Sequence, residues 1–136
     1  MLRIDVDNTY RLLKKALDAS TLRQQAISNN IANINTPNYQ ADRVIFEQEL
    51  KKAMSDFDVQ LKATHKYHIG LRNGADGVEP RLVKDRSPAM RNDGNNVDID
   101  VEMANLAANQ LLYNTLIQQI NQKIGILRHV ITEGRG

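Results

Sequence analysis

Counting alternately by four and three from Ile99 lands on Met103, Leu106, Gln110, Tyr113, Ile117, Ile120, Ile124, Leu127 and Ile131, so nine of ten positions are apolar. A seven-residue repeat held over that length describes a long helix that buries a narrow seam and supercoils left-handedly against a partner. The ends agree. Asp98 is a good N-cap residue, Asp100 and Glu102 fall in the first turn, and Lys123, Arg128 and His129 lie toward the C-terminal end, where the helix dipole favours positive charge. Gly134 closes the pattern. Gly125 lies inside it at a cost of ~1 kcal/mol relative to alanine, and a close backbone contact is the expected reason for keeping it.

The first third of the chain carries the same spacing less completely, through Tyr10, Leu13, Leu17, Ile27, Ile31 and Ile34, with Ser20 and Gln24 breaking the stripe. A second stripe follows Leu12, Ala16, Ala19, Leu22 and Ala26. No glycine or proline occurs before Pro37, so one helix is expected from about residue 8 to 33. A shorter helix fits Arg43 to about Phe57 through Phe46, Leu50, Ala53 and Met54. Residues 58–97 change character: they hold four of the seven glycines, two of the three prolines and the turn sequences NGADG and NDGNN. The segment reads as flexible or weakly β, with Lys66–Leu71 and Val78–Lys84 as candidate strands for each other. The expected fold is mainly α and one structural domain, divided into 1–57, a flexible centre 58–97 and the C-terminal helix 98–136.

Two helices with one seam each bury little. Burial returns roughly 25 cal/mol per Å² of apolar surface, whereas ordering costs about 1–2 kcal/mol per residue. With 4% aromatic residues and no tryptophan, the chain is expected to need partners over its remaining faces. The net charge of +2 comes without a basic block or interleaved aromatics, which argues against a nucleic-acid binder. Absence of cysteine excludes disulfides and thiolate metal sites. No apolar run approaches the length that spans a bilayer, so direct membrane insertion is not expected, and MLRIDVDNTYRLLKK lacks the basic-then-apolar order of a cleavable signal.

Catalytic patterns are equally thin. His65 and His68 are two imidazoles without a third ligand, and the pairs Asp98 with Asp100 and Glu47 with Glu49, two apart, point different ways on a helix. No nucleophile-base pattern or phosphate-cradling glycine loop occurs, so neither an enzyme nor a cofactor or metal is expected.

The most unusual stretch is SNNIANINTPNY, residues 28–39, with five asparagines where the first helix should end. Asparagine competes for backbone hydrogen bonds and weakens helices. Its amides can therefore cap the helix, or they can donate and accept across to neighbouring helices and fix register. Thr36-Pro37-Asn38-Tyr39 suits a type II turn, with Asn38 at the position that needs positive φ.

SNNIAN followed by NTPNY resembles the N-terminal signature of bacterial flagellar axial proteins, the rod, hook and hook-associated subunits. There an Asn-Asn-hydrophobic-Ala-Asn run precedes Thr-Pro-Gly-Tyr, and Asn38 stands where that family commonly has glycine. HKYHI at 65–69 and DGNNVDIDVEMANLAANQLLYN at 93–114 are similar to the middle and C-terminal blocks of its proximal rod proteins. The resemblance implies that the two terminal helices pair as an antiparallel coiled coil and polymerise as part of the drive shaft between rotor and hook. It implies as partners the other rod subunits and further copies of the chain, the basal-body adaptor beneath the rod, and the flagellar type III export apparatus. The expected location is the rod in the cell envelope and periplasm, reached without a cleaved signal peptide.

The implied assembly motif is Asn29, Asn30, Ile31, Asn33, Asn35, Thr36, Pro37, Asn38 and Tyr39. In the implied seam, Leu13, Leu17, Ile27 and Ile31 meet Ile117, Ile120, Ile124 and Leu127, with Leu106 and Tyr113 on the same stripe. Without the resemblance, the residues leave open a cytoplasmic helical adaptor that forms a homo-oligomeric coiled coil.

Overall fold

The computed structural model describes residues 2–53, 77–89 and 92–133, and for 2–8 the backbone alone. The elements are α1 (Leu2–Ala32), β1 (Asp42–Ile45), a short helix α2 whose described part is residues 47–53, β2 (Arg81–Lys84) and α3 (Ile99–Glu133). His65, His68 and the candidate strand Lys66–Leu71 lie outside the described residues.

α1 works with two faces. Its second stripe meets the centre of the chain: Ala19 is buried with Phe46 and Val78, and Leu12, Ala16, Leu50 and Ala53 pack around them. Alanines at two of those α1 positions let α2 approach closely, and full burial of a side chain such as Phe46 stabilises by about 1.5–3 kcal/mol. Lys15 donates to the Val78 carbonyl and to Glu79, and one Arg23 nitrogen reaches both Glu47 oxygens at 2.7 Å, so charged contacts border the same face.

The strand pattern departs from expectation. Arg43, Val44 and Ile45 extend as β1 instead of opening the short helix, and β2 pairs with β1, antiparallel, from Asp42 opposite Lys84 to Ile45 opposite Arg81. The adjacent β-branched residues Val44 and Ile45 favour the extended chain. A ribbon of two four-residue strands is marginal alone; here α1 backs it. Among the described residues of 58–97, Val78, Asn95 and Val97 are buried.

α3 lies antiparallel to α1: Asn30 bonds to Glu102, and Ser20, ten residues earlier in α1, bonds to Asn109, seven residues later in α3. Asp98 caps α3 as its sequence predicts, accepting from Asp100 N at 2.9 Å. The buried α3 positions are Glu102, Asn109 and Leu116. They are seven apart, but one residue off the expected stripe. Met103, Ile124 and Ile131 of that stripe are exposed by 52%, 40% and 68%, while Leu106, Tyr113, Ile117, Ile120 and Leu127 are partly buried.

The expected contacts shift with the rotation. Ile27 is buried and shares a cleft with Asn105, Ala108, Asn109 and Leu112, well short of Ile117 to Leu127. Leu13, seven residues before Ser20, falls level with Leu116, seven after Asn109. α3 is apolar on more than one face, so a heptad count does not select which face turns to α1; the polar partners on α1 do. Gly125 also departs from expectation, because a Cβ there would meet nothing within 4 Å among the described residues.

Candidate functional site

The asparagine-rich loop and the DGNN turn clasp each other. Tyr39 N bonds to Thr36 O at 3.3 Å, closing a turn in which Asn38 has φ 58°, the conformation its position demands. Asn38 N then bonds to Asp93 O at 2.9 Å. The Asn95 amide donates to the carbonyls of Asn33, Ile34 and Thr36 at 2.9–3.0 Å, satisfying groups that the end of α1 leaves open. Asn96 Oδ1 accepts from Ala41 N, and its amide donates to Asp85 O. Gly94 has φ 75°, and a Cβ on it would overlap Asn38 Oδ1, so the close approach requires glycine.

Beside the clasp lies a buried polar junction. Asn30 is fully buried and uses its whole bonding capacity. Its Oδ1 accepts from Asp42 N at 2.7 Å and Tyr39 Oη at 3.3 Å, and its Nδ2 donates to Asp42 O at 2.9 Å and Glu102 Oε2 at 3.1 Å. By bonding both backbone groups of Asp42, the side chain imitates a neighbouring strand and caps the outer edge of β1 at that residue. Glu102, also fully buried, takes a close ion pair from Arg43 Nη1, and Arg43 Nε reaches Asp85 at 3.4 Å. A buried carboxylate is tolerated only with such partners.

Charge at the junction is held in place. Ser87 donates through its backbone N–H and its side chain to Asp85, and with the guanidinium of Arg43 this keeps the Asp85 carboxyl below its ordinary pKa. Burial raises the Tyr39 phenol, and the negative charge of Asp42 adds to the shift. The hydrogen bond to Asp42 raises Lys84, whose ammonium sits 2.7 Å from Asp42 Oδ1 and 4.9 Å from the Tyr39 ring centre. For Glu47, burial opposes the charged form, but the Arg23 hydrogen bond and its own backbone N–H outweigh it and lower the pKa.

The predicted motif thus divides. Asn30, Tyr39 and Asn38 belong to the clasp and junction, while Asn29, Asn35 and Pro37 are exposed and Ile31 is partly buried. Asn33 caps: its amide bonds back to Asn29 O, and its Oδ1 receives the Thr36 hydroxyl. Sequence reasoning missed Arg43, Asn95, Asn96, Glu102 and Asn109 as structural polar groups. A signal for one cluster was present, since Ser20 and Gln24 interrupt the apolar stripe of α1, and both bond to Asn109.

α3 leaves large apolar side chains exposed on more than one of its sides. Ile99, Val101, Met103, Leu111, Ile124, Ile126, Val130 and Ile131 are 40–71% exposed. A run of large apolar side chains along one helix is the mark of a surface meant for another protein. Among the described residues no group of His, Asp or Glu is placed to hold a metal ion, and no helix is long and apolar enough to cross a membrane.

A family model described as "Flagella basal body rod protein" matches residues 13–40, the last two thirds of α1 and the asparagine-rich loop. The flagellar basal body rod protein FlgB of Borreliella burgdorferi is 38% identical over 117 residues, covering 82% of this chain and 87% of the relative. That of Bacillus subtilis is 35% identical over 127 residues, covering 93% and 95%. A third, from Proteus mirabilis, is 32% identical over 134 residues, covering 95% and 97%. Likeness at this level runs through both long helices and the central segment together. The chain therefore belongs to the flagellar basal body rod protein family, among the FlgB proteins, and is a structural rod subunit rather than an enzyme.

Proposed function

We propose that the subunit polymerises through the exposed apolar sides of α3, while the α1–α3 seam and the polar junction hold that helix in one orientation. The exposed apolar run from Ile99 to Ile131 carries this reading. Left in water it is a liability; laid against helices of neighbouring rod subunits it supplies the burial that the single chain lacks. The exposed amide of Asn29 and the Asn35–Pro37 turn stand beside the clasp and offer polar contacts that set the register of the same assembly.

Transmission of torque between rotor and hook requires subunits that do not slip, and a polar clasp inside each subunit with an apolar face between subunits meets that need. The adaptor beneath the rod and the flagellar type III export apparatus are the further partners in this reading. Export without a cleaved signal suits a chain with no cysteine and a small core, which opens at little cost for passage through a narrow channel.

The test places one charge at a time on these exposed sides. Leu111→Asp and Ile131→Asp, at positions 71% and 68% exposed, leave the single chain folded but block rod assembly and swimming. Normal motility in both variants would sink the reading. Rod loss caused by Ser20→Asp alone would instead implicate the inner seam.

A further inference from the structure

The two edges of the β ribbon are treated differently. Asp85 N bonds to Ala41 O at 2.8 Å, which makes residues 41 and 85 a hydrogen-bonded pair. By the alternation of an antiparallel ladder, Arg43 with Val83 and Ile45 with Arg81 are then hydrogen-bonded pairs, while Asp42, Val44, Leu82 and Lys84 turn their N–H and C=O groups outward. On the β1 side, Asn30 closes the outward groups of Asp42. On the β2 side, nothing among the described residues bonds the outward groups of Leu82 and Lys84. Leu82 is 47% exposed, and Arg81 and Arg86, flanking the edge, form no ion pair among the described residues.

We propose that the free edge of β2 is a strand-addition site for an extended acidic segment of a neighbouring protein, with an apolar residue against Leu82 and carboxylates opposite Arg81 and Arg86. Strand addition joins main-chain hydrogen bonds, which give affinity, to side-chain contacts, which give specificity. An antiparallel strand across the edge needs its two acids five residues apart, because Arg81 and Arg86 are five apart. Only the source of the strand, another subunit of the rod, rests on the assembly reading; the site itself does not.

The probe is the blocked hexapeptide Glu-Thr-Val-Thr-Val-Glu, which sets a valine opposite Leu82, titrated into the isotope-labelled full chain and followed by amide NMR and hydrogen exchange. Saturable shifts and slowed exchange at the Leu82 and Lys84 amides are expected, with the Val83 amide, already in the ladder, little changed. Replacing both glutamates with lysine weakens binding about tenfold, since two opposite-charge cross-strand pairs become repulsive. Arg81→Glu with Arg86→Glu reverses the preference toward the lysine peptide, a result that a merely structural role for the arginines would not give. Leu82→Pro removes an outward donor without touching the ladder and abolishes binding, whereas Leu82→Thr retains it.

Equal binding of both peptides, or slow exchange of the Leu82 and Lys84 amides before any peptide is added, would overturn the proposal. So would absence of binding with those amides freely exchanging, which would leave the charges as a guard against edge pairing.

Discussion

Removal of the Asn30 amide tests the polar junction most directly. Asn30→Ala deletes four hydrogen bonds and leaves the Asp42 N–H, the Asp42 carbonyl and one oxygen of buried Glu102 without their partner. At roughly 1 kcal/mol net per bond the loss is about 4 kcal/mol, and the better helix propensity of alanine returns about 0.6 kcal/mol, so a destabilisation of about 3–4 kcal/mol is expected. That is a large share of the roughly 5–15 kcal/mol typical of a small domain. With a urea m-value of about 1–3 kcal/mol/M, the midpoint followed by the helical circular-dichroism signal falls by about 1–4 M, at unchanged m.

Asn29→Ala is the internal control, since that side chain is exposed and its effect stays within about 0.5 kcal/mol. If Asn30→Ala costs under about 1 kcal/mol, or no more than Asn29→Ala, the junction does not hold the fold in the way argued.

The helix seam makes a second prediction: Asn109→Leu alone strands Ser20 and Gln24 and costs about 1–3 kcal/mol, while Ser20→Ala with Asn109→Leu recovers most of it, measured by urea unfolding. Gly125→Ala stabilises the isolated chain by up to ~1 kcal/mol, because its Cβ meets no described residue; if it also blocks rod assembly, a neighbouring subunit packs on that glycine. Asp85 and Glu47 have lowered pKa values in the fold, so their contribution is present above the unfolded carboxylate range and is lost as pH falls through the folded values. The urea midpoint should therefore drop on acidification below about pH 4, with a shallower drop in Asp85→Asn. Lys84 runs the other way: its pKa is raised, and its contribution fades only as alkali carries the pH above the ordinary lysine value.

Much was legible from residue types. The heptads of 99–131 and the double stripe of the first third specify two long helices, because a periodic apolar pattern of that length has few other uses. Asp98 as cap and Asn38 at positive φ follow from local chemistry, which a neighbouring chain segment does not alter. The likeness of SNNIAN and NTPNY to axial proteins placed the chain in its family before any contact was known.

Other features depended on segments far apart in the chain. Val44 and Ile45 extend because β2, almost forty residues later, offers them a partner. The face of α3 that turns inward was set by Asn30 and Ser20, through Glu102 and Asn109, since its apolar residues serve two faces equally well. Asn30 itself looked like one asparagine among five. Local pattern determines which segments become helices, but only the tertiary contacts decide which amide is buried, because burial of a polar group depends on partners that sequence spacing does not bring together.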